Sequence, residues 1–272
     1  MKEWKTAEEW MNAVLELGYS AVIFPVDCNA PRALIRELRD RIYDNGLVIG
    51  EVGVWKNLML PDPEEREKIV EYSVRQLELA EYVGANCCVN ISGSRGNVWD
   101  GYHPDNYSRE TRELIIEQTR RIIDAVKPST ACYSLEPMPW MLPDSPDSYL
   151  ELIRDVDREA FAVHLDFCNM INSLERYRDS AELIDECFEK LGPRIRSIHI
   201  KDCKVDDYIL PFAVAEKRVG EGTLDLVRVL KQANRLDPDI PMYTEHLEKH
   251  EDYVYSTEYL KNLARENGLS FQ

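Results

Sequence analysis

No stretch of this sequence approaches the roughly 18 consecutive apolar residues of a membrane-spanning helix. The opening Met1-Lys2-Glu3-Trp4-Lys5 is followed by no signal-peptide-like apolar run, so neither membrane insertion nor export is expected. Basic residues are in the minority, 33 against 50 acidic, for a net charge of -17. That balance repels phosphate backbones and anionic lipid surfaces, so neither nucleic acid nor a membrane is expected as a partner. The seven cysteines include no C-x-x-C pair, which removes the usual zinc-ribbon and thioredoxin signatures. Most sit in or just after strand-like runs, where a small thiol packs well, and they read as reduced core residues of a cytoplasmic protein. No Gly-rich phosphate fingerprint follows an early strand, and no low-complexity linker divides the chain.

What is present is an alternation of two patterns. Short runs rich in Val, Ile, Cys, Phe and Tyr occur at 20–26, 47–53, 86–92, 131–136, 161–167, 195–201 and 241–246. Between them lie amphipathic stretches with clear punctuation: Asp62-Pro63 and Ser145-Pro146 as starts, Gly18, Gly46, Gly84, Gly192 and Gly268 as stops. Asp179-Ser180-Ala181-Glu182 reads as a capping box, and Ser108 and Ser256 as further caps. Strands alternating with helices imply parallel pairing through crossovers. Seven such units in 272 residues favour an α/β fold of the TIM (β/α)8 type, as a single domain over 1–272, above a doubly wound sheet. The first strand is missing from its usual place, because the pattern opens with a helix at Thr6 to Leu17. The C-terminal Leu269-Ser270-Phe271-Gln272 is the candidate to replace it. Irregular stretches at about 93–107 and 202–222 follow strand ends and are expected to form active-site loops.

Four of the strand-like runs finish on metal-binding residue types: Leu135-Glu136-Pro137, His164-Leu165-Asp166, Ile198-His199-Ile200-Lys201-Asp202 and Tyr243-Thr244-Glu245-His246. Side chains alternate along a strand, so Ser134 shares a face with Glu136, His164 with Asp166, Ser197 with His199 and Lys201, and Tyr243 with Glu245. In a closed barrel those faces meet at one mouth. Three carboxylates and one imidazole make a hard, mostly oxygen donor set, suited to Mn²⁺, Mg²⁺ or Co²⁺ more than to a tetrahedral structural zinc. Each residue alone has a bland alternative, a solvated carboxylate or a hydrogen-bonded core histidine; the joint occurrence on four strands is the signal. Trp55, Asn90 and Trp140 fall at the same expected mouth, where they serve either sugar contacts or packing. His246 should point away from Glu245, and Cys87-Cys88 should pack in the core.

The contexts S-L-E-P, H-L-D-x-x-N, H-I-K-D and T-E-H, in this order, together with Val219-Gly220-Glu221-Gly222 before a helix, resemble the xylose-isomerase-like TIM-barrel superfamily. The nearest branch holds ketose 3-epimerases, hydroxypyruvate isomerase and inosose dehydratase. The resemblance implies one divalent ion, Mn²⁺ first and Mg²⁺, Co²⁺ or Zn²⁺ as alternatives, held by Glu136, Asp166, His199 and Glu245. It implies isomerisation or epimerisation of a sugar or polyol by proton transfer through a metal-stabilised enediolate, with Glu136 and Glu245 as the acid–base pair. His164, Asn169 and Lys201 become either contacts to substrate hydroxyls or supports for the ligands. A homo-oligomer is compatible with the resemblance, although no seam is readable.

Three rivals remain to be weighed. The superfamily's abasic-site nuclease needs several more histidines than the five present, and Asn169 stands where its pattern has a histidine ligand. A lyase or dehydratase acting on a keto-inositol or 3-keto-glycoside would use the same enolate. A non-catalytic carbohydrate-binding barrel is the third, and four intact ligand positions argue against it.

Overall fold

A computed structural model describes residues 4–271. Helix α1 (Ala7–Glu16) starts at Thr6, whose hydroxyl accepts from the Glu9 amide at 3.1 Å, and leads into β1 (Ala21–Ile23). Then come α2 (Arg32–Asp44), β2 (Val48–Gly53), α3 (Pro63–Val83) and β3 (Cys87–Asn90). The next units are α4 (Arg109–Val126), β4 (Cys132–Leu135), α5 (Pro146–Val156) and β5 (Phe161–Asp166). Short helices α6 (Phe167–Met170) and α7 (Leu174–Arg178) precede α8 (Ser180–Leu191) and β6 (Ile195–His199). The chain ends through β7 (Asp202–Asp206), β8 (Ala213–Lys217), α9 (Leu226–Leu236), β9 (Met242–Tyr243) and α10 (His250–Glu266).

Most of the punctuation acts as the sequence suggests. Asp62 caps α3 through the amides of Glu64 and Glu65, with Pro63 in the first turn and Gly84 in the left-handed conformation at the far end. Ser145 and Ser148 form a capping box on α5, and Ser108 caps α4 through the Thr111 amide. Two expected caps fail. Both carboxylate oxygens of Asp179 are taken by Arg178, at 2.7 and 2.5 Å, so it makes no capping bond to α8. Ser256 lies buried inside α10, which begins at His250 because Glu251 and Asp252 already favour an N-terminus there.

Seven strands pair in parallel in the order β1-β2-β3-β4-β5-β6-β9, a nearly closed barrel. Alternate residues, among them Val52, Cys88, Tyr133, Leu135, Val163, Leu165 and Ile198, pack into the main apolar core with the helices. The opposite strand face gives a smaller cluster, Cys87, Val89, Cys132 and Ala162, with Trp55 against it. Small residues there leave the barrel's axis to the polar side chains described below.

Among the described residues no eighth strand closes the ring. Residues 269–271 follow α10 without joining the sheet: the Leu269 amide bonds the Ala264 carbonyl at 2.9 Å, and Leu269 and Phe271 pack on the core. Residues 1–3 and Gln272, the remaining parts of the N-terminal and C-terminal candidates, lie outside the described residues. A side chain spans the seam instead. The Tyr243 hydroxyl on β9 donates to the Val22 carbonyl on β1 at 3.1 Å. It passes over Gly50, where a Cβ would sit 2.0 Å from the Tyr243 Oη, so any side chain at Gly50 would displace the bridge. Lys261 of α10 adds a tie across the same region, bonding the Gly18 carbonyl at 2.7 Å.

The segment expected to be irregular at 202–222 instead contains a hairpin. Strands β7 and β8 pair antiparallel from Asp202↔Lys217 to Asp206↔Ala213, with an exposed tip that includes Tyr208 and Leu210. Buried Asp202 organises its base: Oδ1 accepts from the amides of Cys203 at 2.9 Å and Leu224 at 3.0 Å, and Oδ2 from Gly220 at 3.1 Å and Gly222 at 2.9 Å. The 93–107 loop is irregular apart from a 3-10 turn at Pro104–Tyr107. None of the seven cysteines is in a disulfide. No helix among the described residues is long and apolar enough to cross a membrane.

Candidate metal centre

Glu136 follows β4, Asp166 ends β5, His199 ends β6 and Glu245 lies two residues beyond β9. Strand register sets Asp166 beside His199 and His199 beside Tyr243, so consecutive strands deliver their last polar residues to one level. One donor atom from each of Glu136, Asp166, His199 and Glu245 lies within 4.8 Å of all the others. His199 Nδ1 is 3.0 Å from Glu245 Oε1 and 3.3 Å from Glu136 Oε1. Lys201 extends into the same group, with Nζ 2.7 Å from Asp166 Oδ2, in contact with Glu245 Oε1 and 3.9 Å from Glu136 Oε1. Asn169 completes the wall: its amide N–H bonds Asp166 Oδ1 at 3.0 Å and its Nδ2 donates to Glu136 Oε1 at 3.0 Å.

The electrostatics follow from crowding three carboxylates out of water. Burial pushes the Asp166 carboxyl up to about 6, with Glu136 and Glu245 adding to the push and Lys201 opposing it. Burial also acts to raise Glu136 and Glu245, but His199, joined by Lys201 at Glu245, outweighs it and holds both below the usual carboxylate range. Burial alone would lower His199; Glu136 and Glu51 reverse that and hold it well above an ordinary histidine. Lys201 is likewise raised, burial being outweighed by Asp166 and Glu245.

The donor set fits a hard divalent cation. Asp166 Oδ2 and Glu245 Oε1 are buried oxygens that accept no aligned hydrogen bond, although Lys201 Nζ is close to both. Three largely buried carboxylates thus share one ammonium and one imidazole, and carboxylates crowded together out of water are ordinarily compensated by further pairing or by a metal ion. Three oxygens and one imidazole nitrogen converging from four strands are the ligands expected for Mg²⁺ or Mn²⁺.

The other sequence candidates occupy varied positions. His164 is fully buried on the interior face one layer below Asp166, with Nδ1 2.7 Å from Ser197 Oγ. Asn90 points its amide at the loop after β2, exchanging two 3.0 Å bonds with the backbone of Lys56. Trp140 ties two mouth loops together by donating to the Asp100 carbonyl at 2.6 Å. Trp55 has φ 49° and folds back over the end of β2, its ring 6.4 Å from that of His199. Gly53 permits this, since a Cβ there would lie 2.0 Å from Trp55 Nε1.

Two residues were not found by sequence reasoning alone. Glu51, on β2, is fully buried, with Oε2 3.4 Å from His199 Nε2 and Oε1 3.2 Å from His164 Nδ1. The available signal was a lone glutamate in the buried strand V-I-G-E-V-G. His246 does not point away from Glu245. Its φ of 55° swings the ring back, so that Nδ1 meets Glu216 Oε2 at 3.0 Å and Nε2 lies 3.7 Å from Glu245 Oε2.

Comparison with known proteins places these observations. Residues 11–263 match the Xylose isomerase-like TIM barrel family, and the chain belongs to it. A 3-dehydroshikimate dehydratase of Bacillus anthracis is 24% identical over 182 residues, covering 63% of this chain and 60% of that enzyme. The match therefore spans about three-fifths of that relative's length. Among solved structures, a D-tagatose 3-epimerase-like protein superposes with a TM-score of 0.73 at 20% identity, over 97% of this chain and 95% of that one. A xylose isomerase-like TIM barrel protein of Mycobacterium smegmatis, in complex with magnesium, gives 0.70 at 21% identity, over 95% and 89%. At such identities the structural likeness is one of fold.

Proposed function

We propose that this member of the xylose isomerase-like family is a divalent-metal-dependent sugar isomerase or epimerase, moving a proton on the carbon beside the carbonyl of a ketose or related polyol. The observation that carries the reading is the convergence of Glu136, Asp166, His199 and Glu245, three largely buried carboxylates and an imidazole with the single ammonium of Lys201 among them. When bound there, Mn²⁺, or alternatively Mg²⁺, Co²⁺ or Zn²⁺, supplies Lewis-acid stabilisation of the negative charge that deprotonation leaves on the substrate.

The side chains divide the remaining work. Asp166 and His199, buried at the ends of β5 and β6, serve as holding groups. Glu136 and Glu245 stand on opposite flanks of the β4-β5-β6-β9 arc, which suits a pair that removes a proton from one face and returns one to the other. Neighbouring carboxylates shift each other's protonation, so the acid and base roles belong to the pair. Lys201 and Asn169 offer donors to substrate hydroxyls, and the Trp55 ring offers an apolar wall to sugar C–H groups. The unpaired cysteines suit a reducing, cytoplasmic setting.

Deuterium wash-in tests the reading directly. With metal supplied and a panel of neutral keto-sugars in D₂O, one substrate should gain deuterium beside its carbonyl as its isomer forms. No exchange with any panel member would contradict the assignment. The dehydratase relative favours a second reading, in which the same deprotonation expels a β-leaving group. Loss of water or alcohol from a keto-inositol or 3-keto-glycoside, with no isomer formed, would select it.

A further inference from the structure

Glu51 is a fully buried carboxylate that the proposed chemistry does not use. Burying such a charge is costly unless something compensates it. Both of its oxygens lack an aligned hydrogen bond, and the groups facing them are imidazole nitrogens: His199 Nε2 at 3.4 Å and His164 Nδ1 at 3.2 Å. His164 is already engaged with Ser197 Oγ at 2.7 Å. His199 is held differently. Its Nδ1 faces Glu136 and Glu245, and its Nε2 faces Glu51 from the other side of the ring.

A neutral imidazole has one lone pair and one N–H, and the group beside the second nitrogen decides which nitrogen is free to ligate. We propose that Glu51 is a positioning residue, which holds the proton of His199 on Nε2 and so directs the Nδ1 lone pair toward Glu136, Asp166 and Glu245. The inference rests on the metal reading of that cluster. A carboxylate behind a ligating histidine also raises the basicity of the ligand, and removing such a partner weakens metal affinity by roughly 10–100-fold. Glu51 thus differs from the four proposed ligands: it acts through His199 and touches neither metal nor substrate.

The test uses the intact protein labelled with ¹⁵N-histidine and loaded with Mg²⁺ or Zn²⁺, together with Mn²⁺ titration of Glu51→Gln and Glu51→Asp. The expected spectrum has His199 protonated at Nε2 and ligated at Nδ1. Glu51→Gln should bind Mn²⁺ roughly 10–100-fold more weakly, and Glu51→Asp should recover part of the loss. The wild-type spectrum decides by itself if a variant fails to fold. Wild-type affinity in Glu51→Gln, or a His199 bare or metal-bound at Nε2, overturns the proposal and leaves the metal reading intact. Two metal equivalents, one of them lost in Glu51→Gln, also overturn it, because Glu51, His164 and His199 would then be ligands to a second ion. A wild-type protein that takes up no divalent ion removes the metal reading and this inference together.

Discussion

Asp166 and Asp202 are both buried aspartates near the C-terminal ends of neighbouring strands, two and three residues after a histidine, yet they do opposite things. Asp202 accepts four backbone amides, from Cys203, Gly220, Gly222 and Leu224, and has no capacity left. Asp166 accepts one backbone amide, from Asn169, and turns Oδ2 toward the Lys201 ammonium at 2.7 Å and the neighbouring carboxylates. A saturated carboxylate fixes backbone, whereas an unsaturated one retains binding capacity. The hairpin base and the barrel mouth are therefore distinguished by hydrogen-bond satisfaction, since burial is equal in both.

Substitution should separate the two sites sharply. Asp202→Ala leaves four amides without their acceptor and is expected to cost about 3–5 kcal/mol in urea unfolding. Asp166→Asn should leave the metal-free protein at least as stable, since it removes a carboxylate that burial already disfavours. Its divalent-metal affinity should fall by more than the roughly 10–100-fold typical of supporting residues, measured by calorimetric titration. A stable Asp202→Ala, or an Asp166→Asn that binds metal normally, would erase the contrast.

The pH dependence sharpens it further. Metal must displace the Asp166 proton, so affinity should decline as pH falls through about 6, by roughly tenfold per unit below that. In the metal-free protein the sign reverses. Between pH 6 and the ordinary carboxylate range the native state binds a proton that the unfolded chain does not, so this group's contribution to stability rises on acidification. An affinity that is flat from pH 7 to 5 would contradict the assignment. The smallest effect is expected at the barrel seam: Tyr243→Phe removes the bond to the Val22 carbonyl and should cost about 1 kcal/mol, read as a small fall in the urea midpoint.

Much of the mouth was legible because strand parity is strict. Glu136, Asp166, His199 and Glu245 could be placed on one face from alternation alone. The sequence could not separate H-L-D from H-I-K-D, because the partners of Asp202 lie about 20 residues downstream in the Val219–Leu224 turn. Glu51 was hidden for a related reason: a single glutamate in an apolar strand acquires meaning only when β2 and β6 face each other across the axis. His246 escaped the parity rule because its left-handed backbone lies beyond the end of β9. The seam was equally out of reach, since seven strands predict a gap but not that a tyrosine hydroxyl spans it.

The proposed function rests on the four strand-end residues holding one divalent ion. Equilibrium Mn²⁺ binding by the purified, chelator-stripped protein, compared with Glu245→Gln, tests it most directly. One equivalent bound by the wild type and an affinity at least tenfold weaker in the variant are expected. A wild type that binds no divalent ion, or a variant that binds it equally well, would contradict the account.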